Sequence, residues 1–98
     1  MQYKVELHPQ ARKDFDSLDG SIKKEVIKKI DALARNPLIG SLLGNKDGID
    51  LSGFYKIYIY KKSYRILYRI IGDYLEIVEI VAIGRRDKEA VYRLSKKT

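Results

Sequence analysis

The chain has 98 residues, enough for one domain with a modest hydrophobic core and too few for a second, so we predict a single domain over 1–98. It has no cysteine and one histidine, His8, for which we expect a structural role; this argues against disulfides, a thiolate nucleophile and a Cys- or His-based metal site. Lysine and arginine number 20 against 13 acidic residues, a net charge of +7, and apolar runs such as 80–83 fall far short of the roughly 18 residues that span a bilayer. We therefore predict a small, soluble, cytoplasmic domain with no membrane segment, no bound metal and no other cofactor.

The positive charge is concentrated in the second half of the chain. Residues 1–50 carry nine basic and eight acidic side chains, whereas residues 51–98 carry eleven and five, together with seven of the eight tyrosines. A basic segment rich in tyrosine favours a polyanionic partner, with nucleic acid first, because lysine and arginine neutralise phosphates and tyrosine rings stack on bases. The alternative is a basic surface that serves solubility or binds an acidic protein.

The first third of the chain predicts a strand followed by a helical hairpin. Residues 2–7 alternate apolar and polar side chains, as a half-buried strand does. Pro9 suits a first helical turn, and apolar residues then recur at helical spacing until the Asp-Gly pair at 19–20. Ser21 is the expected N-cap of a second helix, which has an apolar stripe opposite a lysine face and ends at the Asn-Pro pair 36–37. The short connection predicts that the two helices are antiparallel.

The rest of the chain predicts a loop, three strands and a helical tail. Residues 38–53 contain four glycines and no periodicity, so we predict a loop. Segments rich in β-branched and aromatic residues follow at 54–60, 64–71 and 74–83, and we expect an antiparallel meander. With the N-terminal strand the meander forms one sheet of an α+β fold, and a short C-terminal helix completes it.

Two turns determine the predicted register of the meander. A two-residue turn at 72–73 places Arg69 directly opposite Glu76, where the two side chains form a cross-strand ion pair. The preceding hairpin needs a loop of two or four residues if Lys56 and Arg65 are to share a face of the sheet.

Alternation then separates the meander into an apolar face against the helices and a basic, aromatic face. In the last strand the odd positions from 75 to 83 are assigned to the apolar face, which leaves Glu79 there without an explanation. The basic face carries Phe54, Lys56, Tyr58, Tyr60, Arg65, Leu67, Arg69 and Glu76, and Arg86 joins it if the last strand continues. We interpret this face as a contact surface for RNA or DNA, the alternatives being an open amphipathic face or one covered by a partner.

The order of the elements and three short motifs resemble the RelE/ParE superfamily of toxins from bacterial and archaeal toxin–antitoxin pairs. The motifs are HPQARKDFDSL after the first strand, NPLIG after the second helix and GRRDKEAVY after the last strand, around a central FYKIYIYKKSYRILYRI. The resemblance covers nearly the whole chain and implies the RelE-like microbial RNase fold.

Within the superfamily the chain looks closer to the RelE branch, whose members are ribosome-dependent endoribonucleases that cut mRNA in the ribosomal A site. The resemblance implies the catalytic set Lys56, Arg65, Arg86 and Tyr92 and no metal ligand. The basic face adds Tyr58, Tyr60 and Arg69 as RNA-binding candidates, and Arg85, next to Arg86, is a fourth. ParE-type toxins share the fold, lack this set and act on DNA gyrase. A ParE-like or degenerate toxin that inhibits gyrase or another protein is therefore the alternative, and a plain nucleic-acid-binding module is a third.

The implied chemistry is attack of the neighbouring 2′-OH on the phosphate without a metal ion. Arg65 and Arg86 would hold the phosphate oxygens, and Tyr92 would orient the target base. Where the RelE pattern has a second lysine this chain has Tyr58, so the proton acceptor is either Lys56 or Tyr58. We favour Lys56, because tyrosine as a residue type has a reference pKa near 10.

The resemblance also implies the partners of the protein. The first is a cognate antitoxin. The second is the ribosome with its mRNA, through contacts to both rRNA and mRNA. Operator DNA is reached only through the antitoxin complex. It implies no membrane partner.

Overall fold

In the computed structural model, which describes residues 3–46, 49–72 and 76–85, two helices cover one face of a five-stranded sheet. The elements are β1 (Lys4–Leu7), α1 (Pro9–Asp16), α2 (Gly20–Arg35), β2 (Ser41–Lys46), β3 (Ile49–Ile59), β4 (Tyr64–Ile71) and β5 (Ile77–Arg85). The strand order is β1-β5-β4-β3-β2, with β1 parallel to β5 and every other pair antiparallel. The predicted α+β class, with the N-terminal strand in the same sheet as the meander, is confirmed; the predicted C-terminal helix lies outside the described residues.

The starts of the two helices differ in how well the sequence predicted them. His8 Nδ1 accepts a hydrogen bond from the backbone N–H of Gln10 at 3.1 Å, which caps α1 and gives the single histidine the structural role expected of it. The N-cap of α2 is Asp19, in an extended conformation, so the predicted cap Ser21 is wrong and lies within the first turn. The helix ends before the Asn-Pro pair 36–37, as predicted, because a proline removes the next N–H donor.

The hydrophobic core fills the space between the two helices and the covered face of the sheet. Its fully buried members are Ala11, Ile22, Val26, Leu33, Ile59, Ile66, Tyr68, Val78, Ile80 and Ile83. Burial of such side chains stabilises the fold by about 25 cal/mol for each Å² of apolar surface removed from water. All of the core positions on β3 and β4 are ones that alternation assigns to the apolar face.

The predicted loop over 38–53 is wrong, because this segment contains strand β2 and the first five residues of β3. Strand β2 pairs with β3, but the register shifts between Leu42 and Gly44. Gly44 and Gly53 both have positive φ, at 64° and 86°. These two left-handed residues and the shift in register break the period-2 pattern on which a strand prediction depends.

The β3–β4 hairpin has the even loop that the sequence analysis required. Ile59 pairs with Tyr64, so the loop contains the four residues 60–63. Three of them, Tyr60, Lys61 and Lys62, have positive φ values of 52°, 54° and 68°. The backbone N–H of Tyr60 donates to Glu25 of α2 at 3.2 Å, which ties this left-handed loop to the helix layer. As a result Lys56 and Arg65 lie on the same face, as predicted.

The predicted register of the β4–β5 pair is wrong. Ile71 pairs with Ile77 across a five-residue connection, and Arg69 therefore lies opposite Glu79 rather than Glu76. Glu76 instead accepts a hydrogen bond from the phenol of Tyr3; that bond, then burial and the carboxylate charge, raise the pKa of Tyr3.

A β-bulge in β5 explains why simple alternation failed on this strand. Leu67 pairs with Ala82 and the next residue of β4, Tyr68, pairs with Ile80, so Val81 is an extra residue. Before the bulge Val78 and Ile80 face the helices, and after it Ile83 does. The assignment of Ile77 and Val81 to the helix-facing side was therefore wrong, and Glu79 lies on the opposite face, where its partner is.

Candidate nucleic-acid interface

The sheet face turned away from the helices is part apolar and part cationic. Its apolar part is a second small core made of Leu51, Leu67, Val81 and Ala82, with Leu43 and Phe54 packed against it. The basic face predicted from alternation is therefore interrupted, because Leu67 is fully buried between Arg65 and Arg69. Arg65 and Arg69 therefore lie in different surroundings.

At one end of this face Lys56, Tyr58 and Arg65 form a cationic cluster. Tyr58 of β3 lies directly opposite Arg65 of β4, and Lys56 lies two residues earlier on the same side of β3. Lys56 Nζ donates a hydrogen bond to Tyr58 Oη at 3.2 Å and lies 5.1 Å from the centre of the Tyr58 ring. A phenol oxygen is thus held by one cation and lies across the strand pair from a second.

Arg65 is the feature of the cluster that most strongly indicates a ligand. Only 5% of the residue is exposed, and Nε finds no hydrogen-bond partner among the described residues. A buried guanidinium with an unpaired N–H is costly unless an anion or a hydrogen-bond acceptor completes it. Its neighbour in β5 is Gly84, where an added Cβ would meet no atom of the described residues within 4 Å, so that strand leaves space beside Arg65 within the described part of the chain. The geometry suits a phosphate oxygen bound in the fork of the guanidinium.

Arg69, at the other end of the face, is already paired. Its Nε lies 2.8 Å from Glu79 Oε1, and its guanidinium lies 5.8 Å from the ring centre of Phe54. The Arg69 side chain remains 45% exposed. Its charge is partly neutralised, which makes it a weaker phosphate ligand than Arg65 while its flat surface stays available for stacking.

Comparison with known proteins places this arrangement in a family. The model of the ParE toxin family, from the parDE type II toxin–antitoxin system, matches residues 5–90. A RelE-like toxin protein of Escherichia coli is 34% identical over 97 residues, which cover 97% of this chain and 95% of that protein. The chain belongs to the RelE/ParE toxin superfamily. It is a RelE-like toxin of a toxin–antitoxin system.

Further relatives of the toxin carry the RelE name. The mRNA interferase toxin RelE of E. coli K12 is 26% identical over 94% of this chain and 92% of its own length. A variant of E. coli RelE in the free state superimposes with a TM-score of 0.76 at 25% identity and covers 99% of this chain and 97% of that one. The toxin in a RelBE toxin–antitoxin complex from Mycobacterium tuberculosis superimposes with a TM-score of 0.71 at 30% identity, over 88% of this chain and 100% of that one. The fold and the family inferred from the motifs are thereby confirmed.

Two of the predicted RNA-binding residues of the toxin lie off the cationic face. Tyr60 leaves the strand in a left-handed conformation, is 42% exposed and packs edge-on against Tyr64 with the ring centres 6.2 Å apart. Arg85 pairs with Tyr64 in register and so lies on the helix-facing side at the end of β5. Alternation correctly placed Tyr58 and Arg69 but not Tyr60, because the hairpin loop begins at residue 60. Arg85 was a candidate that alternation had not assigned to the basic face.

The remaining predicted catalytic residues of the toxin, Arg86 and Tyr92, lie outside the described residues. Within 3–46, 49–72 and 76–85, no three His, Asp or Glu side chains are placed to share a metal ion, and neither helix is long and apolar enough to cross a membrane. What the sequence analysis missed in the described part is the space at Gly84 beside Arg65. Only the bulged register of β5 brings that glycine opposite the arginine, and no signal in the sequence alone indicated the bulge.

Proposed function

We propose that this toxin is a ribosome-dependent endoribonuclease that cleaves mRNA in the ribosomal A site. The observation that carries the proposal is the buried Arg65 with its unpartnered Nε, beside the hydrogen-bonded Lys56 and Tyr58. Three such groups on one face match the needs of a phosphodiester, which must have its negative charge neutralised while a proton is removed nearby. The E. coli relative named mRNA interferase supports the same activity.

The proposed reaction needs only side chains of the toxin and no metal ion. The 2′-OH of the nucleotide before the cleaved bond loses its proton and attacks the phosphorus, and the 5′-oxygen leaves. Arg65 holds two oxygens of the phosphate in its fork, and its charge stabilises the extra negative charge that develops on them. A preorganised group of this kind is typically worth about 10²–10³ in rate.

Arg86 and Tyr92 complete the proposed site on the strength of the motif GRRDKEAVY. Arg86 binds the second side of the phosphate and stabilises the leaving oxygen, and Tyr92 stacks on the target base. Tyr58 and Arg69 offer further contacts to RNA, and Tyr60 and Arg85 do so from the hairpin loop and the end of β5.

We propose a cognate antitoxin and the translating ribosome as partners. Solved relatives include complexes of RelE with RelB, and these support an antitoxin that binds this toxin. We expect rRNA and mRNA contacts on the cationic side, operator DNA to be reached only through the antitoxin complex, and action in the cytoplasm.

Cleavage of mRNA on programmed ribosomes tests the proposal. Purified toxin is added to ribosomes with a defined codon in the A site, and the mRNA ends are mapped by primer extension. We expect a new end within the A-site codon, and a rate at least 100-fold lower for Arg65→Gln. Arg12→Gln is the matched control, since Arg12 is an exposed α1 residue whose side chain is 71% exposed and pairs with Asp16. Equal cleavage by the Arg65 and Arg12 variants would refute the role given to Arg65.

A second candidate function is inhibition of DNA gyrase, which the ParE name of the matching family model favours. The two candidate functions are distinguished in cells by whether protein synthesis or DNA synthesis stops first after the toxin is induced. Loss of methionine incorporation before any loss of DNA synthesis supports the nuclease. The reverse order, with intact mRNA, supports gyrase inhibition.

A further inference from the structure

We propose that Tyr58, and not Lys56, takes the proton from the attacking 2′-OH, and that Lys56 is the positioning residue that holds the Tyr58 oxygen. This inference rests on the proposed endoribonuclease function and names the proton acceptor of that reaction.

The direction of the Lys56–Tyr58 contact favours this division of roles. The Lys56 ammonium has three donors and no acceptor, and it donates to the phenol oxygen at 3.2 Å. A donor in that position stabilises the oxygen most when it carries negative charge, which is its state just before it accepts a proton. A lysine acting as the base needs a free lone pair on Nζ, whereas Nζ of Lys56 is here the hydrogen-bond donor.

Arg65 is a second cationic residue next to Tyr58. It lies directly across the strand pair from Tyr58 and neighbours it in addition to Lys56, which donates to the phenol oxygen. A phenolate between two cations gains an attraction to each of them. A neutral Lys56, by contrast, would only lose its repulsion from Arg65, and it would no longer be a charged donor to the Tyr58 oxygen. Because Arg65 is 5% exposed, little water screens its side of the pair.

The cluster also places the acceptor beside the group that would hold the phosphate. Tyr58 and Arg65 are a directly opposed pair on one face, and side chains in such a pair start from Cβ atoms roughly 5 Å apart. We expect a phosphate in the fork of Arg65 to place its neighbouring ribose near Tyr58. Lys56 lies two residues earlier on β3, opposite Leu67 rather than Arg65.

The proposed step balances as follows. The Tyr58 phenolate oxygen takes the proton of the 2′-OH, the 2′-oxygen forms a bond to phosphorus, and the bond from phosphorus to the 5′-oxygen breaks. The leaving 5′-oxygen takes a proton from water, and Tyr58 returns its proton to solvent. The products are a 2′,3′-cyclic phosphate and a 5′-hydroxyl end, with no oxidant or reductant involved.

Single-turnover cleavage on programmed ribosomes tests the assignment with three variants. We expect Tyr58→Phe to lower the rate by about 10²–10⁴, the usual range for loss of a general base. We expect Lys56→Arg, which keeps a cationic donor, to be more active than Lys56→Met. Tyr55→Phe is the matched control, because Tyr55 lies on the same strand, faces the helices and stacks on Tyr68. Circular dichroism and ribosome binding are measured for each variant.

A pH profile separates a proton acceptor from a packing residue. Replacement of Tyr58 by 3,5-difluorotyrosine, whose phenol loses its proton more readily, moves the midpoint of the rate increase to lower pH if Tyr58 is the acceptor. The charged groups beside Tyr58 among the described residues are Lys56 of β3 and Arg65 of β4, and the substitution alters neither side chain. An unmoved midpoint, or a fully active Tyr58→Phe protein, overturns the assignment and leaves the nuclease proposal standing. A wild-type toxin that cuts no mRNA on any programmed codon overturns both.

Discussion

The hydroxyl of Tyr68 joins the segment after α2 to the middle of the sheet, and its removal tests this view of the fold. Tyr68 is fully buried in the core. Its hydroxyl donates to the carbonyl oxygen of Pro37 at 2.8 Å and accepts from the backbone N–H of Gly40 at 2.9 Å. The substitution Tyr68→Phe keeps the ring, and with it the stacking on Tyr55 at 5.2 Å between ring centres, but removes both hydrogen bonds.

The expected loss of stability depends on whether each hydrogen-bond partner of the Tyr68 hydroxyl can reach water once that hydroxyl is removed. Each polar group left unpaired in a buried place costs about 1–3 kcal/mol. Pro37 is buried, so its carbonyl bears that cost, whereas Gly40 is half-buried and water can reach its N–H. We therefore expect Tyr68→Phe to lower the free energy of unfolding by about 2 kcal/mol, or to lower the Tm by about 8–16 °C in a domain of this size.

Thermal unfolding followed by circular dichroism measures the change. Tyr55→Phe is the control, because it removes a hydroxyl from the neighbouring ring of the same stack without breaking any hydrogen bond within the described residues. A Tyr68→Phe protein as stable as the control would refute the reasoning, since it would mean that the two hydrogen bonds contribute nothing over water.

Three further predictions concern the same framework. Gly40→Ala should destabilise the toxin more than Tyr68→Phe in urea unfolding, because the new Cβ would lie 2.5 Å from the Tyr68 hydroxyl and 2.6 Å from the Lys56 carbonyl oxygen, and the second of these atoms belongs to the backbone. Burial raises the pKa of Tyr68 above its usual value of 10.0, so as the pH rises the phenol loses its proton in the unfolded chain before it does in the folded protein. The free energy of unfolding should therefore fall as the pH rises above about 10, and it should fall less in Tyr68→Phe. Asp14→Ala should speed hydrogen exchange at Ile83, whose backbone N–H donates to Asp14 Oδ2 at 3.0 Å, while a backbone amide in the middle of α2 exchanges as before.

The helices and most of the sheet were predictable because their periodicity is uninterrupted. The two helices, strands β1 and β4 and the part of β3 from residue 54 onward follow regular spacing of apolar residues, and the core positions on β3 and β4 agree with alternation. The family was also accessible, since its motifs lie in order along the chain.

What could not be predicted depends on backbone features that leave no periodic trace. Strand β2 was hidden by a register shift and by the positive φ of Gly44, and the start of β3 was hidden by the positive φ of Gly53. Tyr60 was assigned to a strand because aromatic residues favour strands, yet it adopts φ of 52° as the first residue of the loop. The bulge at Val81 could not be seen because β5 is apolar on both sides at that point, so a shift of one residue changes no pattern.

The register of β5 also determines how charge is distributed over the candidate site. The five-residue connection places Glu79 opposite Arg69, with which it pairs, and the extra residue Val81 then brings Gly84 opposite Arg65. Arg69 thus lies opposite a carboxylate, that of Glu79, whereas Arg65 lies opposite a glycine, which has no side chain. The positive charge is neutralised at the end that holds Arg69 and kept at the end that holds Lys56, Tyr58 and Arg65. Under the proposed function we expect the phosphate of the RNA to bind at the Arg65 end, where Nε finds no partner among the described residues, rather than at the Arg69 end, where Glu79 neutralises the charge.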